Sequence, residues 1–227
     1  MVLVLHLSDI HFRTPADKNP VFPRASALAR VVNKFAEEIS LCGIVVSGDI
    51  AFSGSTPEYT VALKFFRNLR DEIRTNSPDL RVEWVVVPGN HDCDFSEKNS
   101  VRDFVILGLK GRHCVADSQV VDQACGIQSP FFEFLKTMES GQGVAGQDRL
   151  YFKREFVHEG KTVRFNCFNT AWLSQLPEKP AQLEFPTDSI SLDPSPASVV
   201  IAVFHHPYAW LSIDSGKALK SLIEASA

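Results

Sequence analysis

The sequence predicts an α/β fold built on parallel strands, and two observations support that prediction. Three apolar, β-branched segments, VLVLHLSD (2–9), GIVVSGD (43–49) and RVEWVVVPGNHD (81–92), have the composition of strands buried inside a sheet. An amphipathic helical pattern lies between each pair of segments. This β-α-β-α-β order predicts parallel strands joined by right-handed crossovers, and the first strand is expected to be buried on both faces.

The two intervening helices follow from the spacing of their apolar residues. Apolar residues recur at helical spacing over residues 24–40, which predicts the first helix. The second helix is expected to begin at Ser55 or Thr56, with Pro57 in its first turn and Glu58 placed for a capping box. The apolar faces of both helices are expected to pack in the core.

The middle of the chain has a weaker pattern. Residues 93–150 are predicted to form an insertion or cap near the site, with helices near 101–109 and 130–138. The stretch ESGQGVAGQD (139–148) that follows is predicted to be flexible. We expect this insertion to influence which substrate is chosen.

The last third of the chain returns to strands. Apolar residues alternate on both sides of HEGK (158–161), which predicts an antiparallel hairpin. A proline-rich loop (176–196) leads to another apolar run, SVVIAVFHHP (198–207). A final helix is predicted over 216–225.

Composition indicates one soluble domain inside the cell. The 227 residues are 44% hydrophobic, which is enough for one sizeable core. A net charge of −4, with no block of like charge, argues against a strongly basic nucleic-acid surface. The five cysteines form no C-x-x-C pair and are typical of reduced thiols. Because the apolar start is also too short for a signal peptide or a membrane span, we expect a cytoplasmic protein.

Polar side chains follow each predicted strand. The three strands of the first part end in SDIH, SGD and PGNHD, and the run that begins at Ser198 ends in two histidines. Ligands of parallel sheets bind beyond the carboxyl ends of the strands, so these groups are expected to share one site. The candidates are Asp9, His11, Asp49, Asn90, His91, Asp92, His205 and His206.

The types of these side chains indicate a metal centre. Carboxylate, amide and imidazole ligands without a thiolate suit Mn²⁺, Fe, Zn²⁺ or Mg²⁺ rather than a structural zinc–sulfur site. Asp9 and His11 stand two residues apart, which puts both side chains on one face of an extended strand, so they can chelate one ion. Asp49 can bridge two ions, while Asn90 and one histidine of the 205–206 pair can bind the second.

Two divalent ions would attract a phosphate group. Ions about 3.5–4 Å apart can share a hydroxide nucleophile, polarise the phosphoryl oxygens and stabilise the charge of in-line displacement. His91 is predicted to face the substrate and either donate a proton to the leaving oxygen or stabilise its charge. Asp92 is predicted to orient His91 and to keep it protonated.

The motifs DIH (9–11), GD (48–49) and GNHD (89–92), followed by a strand ending in HHP (205–207), resemble the calcineurin-like metallophosphoesterase family in content and in order. The match spans essentially the whole chain, so residues 1–227 are expected to form one metallophosphoesterase domain. The resemblance implies an αββα four-layer sandwich, in which two mixed β-sheets pack together with helices outside. It also implies a dinuclear metal site at the strand ends.

The resemblance implies a role for each candidate. His205 and His206 are adjacent in an extended run, so they should point to opposite faces, and only one should bind a metal directly. The family motif favours His205, and His206 would then contact the substrate or support a ligand. The implied roles are Asp9 and His11 on the first metal, Asp49 as the bridge, Asn90 and His205 on the second metal, and His91 as the catalytic imidazole.

The sequence departs from the family pattern at one point. The family closes its site with a G-H-x-H motif on a further strand, one histidine for each metal, and no histidine follows His206 here. The segment SGKALKSLIEASA (215–227) resembles the helix that leads into that strand. We therefore expect this sequence to be a piece of a longer protein with further C-terminal domains, weakly active or inactive alone because ligands are missing.

Two functions are compatible with these motifs. The first is metal-dependent hydrolysis of a phosphomonoester or phosphodiester, and the acidic balance favours a small molecule or nucleotide over long duplex nucleic acid. The second is a non-catalytic regulatory or scaffolding module at the start of a larger protein. The intact GNHD motif argues for the enzyme, because a site without chemistry would not need both His91 and its neighbour.

Overall fold

The structure is a computed structural model, and it describes residues 1–97, 99–138 and 146–226. Within these residues the chain forms two three-stranded β-sheets with helices around them. In chain order the elements are β1 (Val2–Leu7), α1 (Ala25–Asn33), β2 (Leu41–Ser47), α2 (Thr56–Asn76), β3 (Arg81–Val87), α3 (Ser100–Lys110), α4 (Ser118–Ala124), α5 (Ser129–Met138), β4 (Tyr151–His158), β5 (Lys161–Phe168), β6 (Val199–Val203) and α6 (Ile213–Glu224).

The first sheet has the predicted β-α-β-α-β connection. Its strand order is β1-β2-β3, and both pairings are parallel. The central strand, β2, is buried along its whole length. The prediction that β1 is buried on both faces is wrong, since β1 has only one neighbouring strand among the described residues and its Val4 is 42% exposed. The expectation of two mixed sheets is also wrong for this sheet, whose described strands are all parallel.

The helices of the first sheet differ in how well the sequence pattern predicts their bounds. α2 begins as predicted: the backbone N–H of Ser55 donates to the Glu58 carboxylate at 3.3 Å, which is half of a capping box. The first helix ends at Asn33 rather than near residue 40. Beyond it the hydrogen bonds tighten to three-residue turns, for example from Phe35 N–H to the Val32 carbonyl at 3.0 Å.

The second sheet contains the predicted hairpin. β4 and β5 pair antiparallel around a two-residue turn at Glu159 and Gly160, whose φ angles are 49° and 73°. Positive φ at both positions is the conformation that tight hairpin turns require. β6 pairs parallel to β5, so this sheet is mixed. α6 begins at Ile213, three residues earlier than predicted, because the Ser212 side chain accepts from the backbone N–H of Ser215 and caps it.

The two sheets lie against each other at their central strands. A Cβ atom added to Gly43 of β2 would lie 3.7 Å from Cζ of Phe165 in β5. On the other face of the first sheet, α2 packs on β3 through Phe66 and Trp84, whose ring centroids are 5.3 Å apart. The core therefore holds both sheets in place and fixes the carboxyl ends of β1, β2 and β3 at a common edge.

The predicted insertion packs on this body. The expected helices near 101–109 and 130–138 are confirmed as α3 and α5, while α4 is an additional short helix. α5 lies on α2, with the rings of Tyr59 and Phe134 5.1 Å apart, and its buried side chains belong to the same hydrophobic core as the sheets. Most of the stretch predicted to be flexible, residues 139–145, lies outside the described residues.

Two further observations concern the cellular setting. All five cysteines are present as thiols. Among the described residues, none of the helices combines the length and the apolar character needed to cross a membrane.

Candidate metal centre

The edge formed by the ends of β1, β2, β3 and β6 brings six of the predicted residues together. We call them the strand-end cluster: Asp9, His11, Asp49, Asn90, His91 and His205. Ligand atoms of Asp9, Asp49 and His205 lie within 4.8 Å of one another, and so do those of His11, Asp49 and His91. Asp49 belongs to both groups, so it occupies the centre of the cluster.

Asp49 is only 3% exposed, and its two carboxylate oxygens face different histidines. Oδ1 lies 3.4 Å from Nε2 of His205, and Oδ2 lies 3.7 Å from Nε2 of His11. The backbone N–H of His91 donates to Oδ1 at 2.9 Å and fixes the carboxylate plane. A carboxylate held in this way can contact two cations at once.

Backbone pairing between the loops positions the ligands. Beyond β1 the chain runs beside the loop that follows β2, with hydrogen bonds from His11 N–H to the Asp49 carbonyl (2.9 Å) and from Phe12 N–H to the Ile50 carbonyl (2.7 Å). Asp9, His11 and Asp49 each have φ of 54°. The prediction that an extended strand puts Asp9 and His11 on one face is therefore wrong, because both residues follow the strand in left-handed backbone. Such conformations are uncommon outside glycine and occur preferentially at functional sites.

Two glycines make the close approach of these loops possible. A Cβ atom on Gly48, whose φ is +95°, would lie 2.6 Å from Nδ1 of His205. A Cβ atom on Gly89 would lie 2.2 Å from Oδ1 of Asp49. The glycines of the GD and GNHD motifs are thus required by space, and Gly48 by backbone conformation as well.

The tautomer of His205 follows from its carbonyl partner. Nδ1 of His205 lies 2.9 Å from the Ser47 carbonyl oxygen and must donate its proton to it, because a carbonyl only accepts. In the neutral ring the Nε2 lone pair then faces Oδ1 of Asp49 at 3.4 Å and Oδ1 of Asn90 at 3.2 Å. In the neutral ring these lone pairs repel one another, and either a cation between them or a proton on Nε2 removes the repulsion.

His11 has the properties of a neutral ligand. Its Nδ1 is buried and has no hydrogen-bond partner among the described residues. Burial lowers the pKa of its imidazole, although the neighbouring Asp49 carboxylate acts in the opposite direction. A neutral imidazole whose Nε2 faces the Asp49 carboxylate fits a metal ion, which needs the free lone pair.

His91 is held by a residue that the sequence did not indicate. Its Nδ1 donates to the carbonyl oxygen of Phe52 at 2.6 Å. The prediction that Asp92 orients His91 is wrong on this geometry. A backbone carbonyl leaves no side-chain signal in a sequence, which explains why the partner was missed.

Asp92 instead fastens the two loops together. It is fully buried, and its carboxylate accepts from the backbone N–H groups of Ile50 (3.1 Å), Ala51 (3.0 Å) and Gly89 (2.9 Å) and from the hydroxyl of Tyr59 (2.9 Å). Burial raises the pKa of Asp92 to about 6, with the donors from Gly89, Ala51 and Tyr59 opposing the shift. Its role is to hold the backbone that carries Asp49 and Asn90.

His206 points away from the cluster, so the predicted substrate contact is wrong. The residue is 3% exposed, its Nδ1 lies 3.1 Å from the Thr170 hydroxyl, and its Nε2 lies 3.2 Å from a carboxylate oxygen of Glu178. Thr170 lies in the segment FNTAW (168–172) at the end of β5. His205 and His206 lie in the bend that follows β6 rather than in the strand. Their side chains still point to opposite sides, and only His205 faces the cluster.

Sequence comparison gives the same family as the motifs. A sequence model of the calcineurin-like phosphoesterase family matches residues 2–221, which is nearly the whole chain. No curated protein matches the chain by sequence. The chain belongs to the calcineurin-like phosphoesterase family, whose members act on phosphate esters and typically bind two divalent metal ions.

Proposed function

We propose that this protein hydrolyses phosphomonoesters or phosphodiesters with two divalent ions held by the strand-end cluster. The convergence of lone pairs from His205, Asp49 and Asn90 supports this proposal most directly. The donor set of carboxylates, imidazoles and one amide suits Mn²⁺, Fe, Zn²⁺ or Mg²⁺.

Five residues would hold the two ions. Asp9 and His11, which lie on the loop after β1, would bind one ion, and Asn90 and His205 would bind the other. Asp49 would bridge them through its two oxygens, which face His11 and His205. When bound, the ions acidify a water molecule to supply the nucleophile and neutralise the charge of the phosphoryl group.

His91 would serve the leaving group. The Phe52 carbonyl holds its Nδ1 proton, so Nε2 is the atom left to act on the substrate. In the imidazolium form, Nε2–H donates a proton to the leaving oxygen and stabilises the charge that develops there. The bond to Phe52 keeps the ring in the same orientation before and after this transfer.

The substrate is expected to be a phosphate ester of modest size. The cluster lies at an accessible edge, where Asp9 is exposed and His11 and His91 are half-buried. The net charge of −4 opposes long, highly charged polymers, so a small molecule or a short nucleotide is favoured.

We also propose that the two facing sheets and their outer helices complete the four-layer sandwich typical of the family.

Manganese titration tests the proposal. Mn²⁺ bound per chain is measured by mass spectrometry while hydrolysis of bis-p-nitrophenyl phosphate is followed in the same samples. The wild type is expected to bind two ions and to hydrolyse the ester only slowly, since this sequence has no G-H-x-H motif to complete the ligand set. Asp49→Ala is expected to lose both ions and all detectable hydrolysis. Asp71→Ala removes an exposed carboxylate on α2 and serves as the control. Failure of the wild type to bind manganese would overturn the proposal, and one tightly held ion in Asp49→Ala would overturn the bridging role.

A further inference from the structure

An arginine lies beside the strand-end cluster without a role in it. The guanidinium carbon of Arg13 lies 3.4 Å from the centroid of the Phe52 ring. Arg13 follows His11 by two residues, and Phe52 follows Asp49 by three, so each belongs to a loop that carries a proposed ligand. The Arg13 side chain is exposed, and Phe52 is 37% exposed. Substrate that reaches the cluster can therefore reach this pair.

The loop that presents Arg13 is fixed by Asn19. This asparagine is 5% exposed. Its Oδ1 accepts from the Arg13 backbone N–H at 2.7 Å, and its Nδ2 donates to the Arg13 carbonyl at 2.8 Å and to the Ala16 carbonyl at 2.9 Å. The buried Asn19 side chain thus bonds to both the N–H and the carbonyl of Arg13, while the Arg13 side chain stays exposed.

Phe52 connects the guanidinium to the proposed proton donor. Its ring centroid lies 5.6 Å from that of His91 and 6.3 Å from that of His11, and its carbonyl accepts from Nδ1 of His91. The Phe52 ring therefore contacts the Arg13 guanidinium and lies beside two histidines of the cluster. An anion bound by Arg13 would lie next to the group on which His91 acts.

Stacking leaves the hydrogen-bonding edge of the guanidinium available. A guanidinium stacked on an aromatic ring keeps its N–H donors in its own plane, where they form a fork that matches a phosphate. Within the described part of the chain, no carboxylate forms an ion pair with Arg13. A positive charge held in place beside a phosphate-ester site, and not neutralised by an acid, fits an anionic part of the substrate.

We infer that Arg13 and Phe52 form a subsite for a second anionic group of the substrate, next to the phosphate that is cleaved. This inference rests on the proposed function and narrows its substrate class to phosphate esters that carry another phosphate or carboxylate nearby. Arg13 binds this group through its fork, and Phe52 holds the guanidinium in position. Neither residue takes part in bond breaking.

Two esters that differ only in a second phosphate test the inference. Thymidine 5′-(p-nitrophenyl phosphate) and its 3′-phosphorylated form release the same nitrophenolate from the same phosphate. The wild type with Mn²⁺ is expected to prefer the 3′-phosphorylated ester about tenfold in kcat/KM, as one charge-assisted fork allows. Arg13→Gln is expected to lose this preference, and Phe52→Leu, which keeps the backbone carbonyl, to lose part of it. Arg30→Gln on α1 removes the same charge away from the site and is expected to keep the preference.

A binding measurement separates this inference from the proposed function. The affinities of thymidine 3′,5′-bisphosphate and thymidine 5′-phosphate are compared by calorimetry, in manganese and after chelation, for the wild type, Arg13→Gln and Arg30→Gln. The bisphosphate is expected to bind more tightly to the wild type and to Arg30→Gln only. Equal ratios in Arg13→Gln and the wild type would overturn the subsite. Absence of hydrolysis in every sample would count against the proposed function, and the ratio of affinities would still decide whether Arg13 binds the second phosphate.

Discussion

Carboxylates and histidines occur both in the strand-end cluster and in a second set of polar side chains, but their hydrogen-bond partners differ. We call the second set the buried network: Tyr59, Asp92, Thr170, Glu178 and His206. In the cluster, the Asp49 oxygens face imidazole nitrogens at 3.4 and 3.7 Å. In the buried network, Asp92 meets three backbone N–H groups and a hydroxyl. A carboxylate or an imidazole that lacks protein hydrogen-bond donors around it is therefore the better candidate for a metal ligand.

The adjacent pair His205 and His206 shows this difference within two residues. His205 directs Nε2 at the oxygens of Asp49 and Asn90, an arrangement that a bound cation would stabilise. His206 contacts Thr170 with one nitrogen and Glu178 with the other, so both of its nitrogens have protein partners. The two side chains point to opposite sides of the chain, so His205 belongs to the strand-end cluster and His206 to the buried network.

The largest effect is expected from His91→Asn, which tests whether this residue acts on the substrate. Loss of general acid catalysis is expected to lower kcat for bis-p-nitrophenyl phosphate roughly 10²–10⁴-fold. Manganese content, measured by mass spectrometry, is expected to stay at the wild-type value. A loss of metal that parallels the loss of activity would make His91 a ligand and remove it from the proton-transfer role.

The next largest effect concerns Asp92, which we place in the buried network rather than in the chemistry. Asp92→Ala leaves three backbone N–H groups and the Tyr59 hydroxyl without their acceptor, and should lower the free energy of unfolding by about 3 kcal/mol or more. Tyr59→Phe removes one donor and should cost about 1 kcal/mol. Urea unfolding of the metal-free proteins measures both, and equal costs would contradict the bracing role of Asp92.

The two adjacent histidines should separate stability from metal binding. His206→Ala removes the imidazole that contacts Thr170 and Glu178 and should lower the free energy of unfolding by about 2 kcal/mol, with manganese content unchanged. His205→Ala should lose one ion at a smaller cost in stability. The measurements are urea unfolding and metal analysis on both variants, and the reverse pattern would show that the two regions have been assigned the wrong way round.

The smallest effect is a pH dependence of the buried network. Burial alone would raise the pKa of Glu178, but the hydrogen bond and charge of His206 outweigh it, so the pKa is lowered. A lowered pKa stabilises the fold above the ordinary carboxyl range, and this contribution is lost as the pH falls through the folded value. Glu178→Gln should therefore cost about 1 kcal/mol at pH 7, and the difference from the wild type should shrink below about pH 4. A difference that is constant from pH 7 to pH 3 would contradict the charged pairing with His206.

The first sheet and the edge at which the candidate site lies could be predicted from the sequence because both depend on local patterns. β-Branched runs that end in polar residues, separated by amphipathic helices, are enough to place Asp9, Asp49 and Asn90 at one edge of a parallel sheet. The hairpin of β4 and β5 is visible for the same reason, since its alternation is regular. The sequence of a strand does not show which strands lie beside it. The burial predicted for β1 is therefore wrong, because β1 lies at the edge of the described sheet.

The errors at the site have a common cause, which is that hydrogen-bond partners come from distant parts of the chain. His91 is held by the backbone of Phe52, and His206 is held by Thr170 and Glu178, so proximity in sequence to Asp92 or to His205 was a poor guide. Left-handed backbone at Asp9 and His11 leaves no signal in the sequence, where two-residue spacing is typical of an extended strand. Positive φ at Asp9, His11 and Asp49 accompanies the backbone hydrogen bonds between the loops that carry them.

Left-handed backbone at Asp9 and His11 sets the stability of the metal-free fold against the proposed metal binding. Glycine adopts φ near +54° without steric cost, so Asp9→Gly or His11→Gly would relax the metal-free fold while deleting a proposed ligand. Selection of variants for heat resistance or solubility alone would accordingly enrich glycine at these positions. Such a screen would yield more stable proteins without the proposed metal site, so any engineering of this protein needs a measurement of metal binding or turnover from its first round.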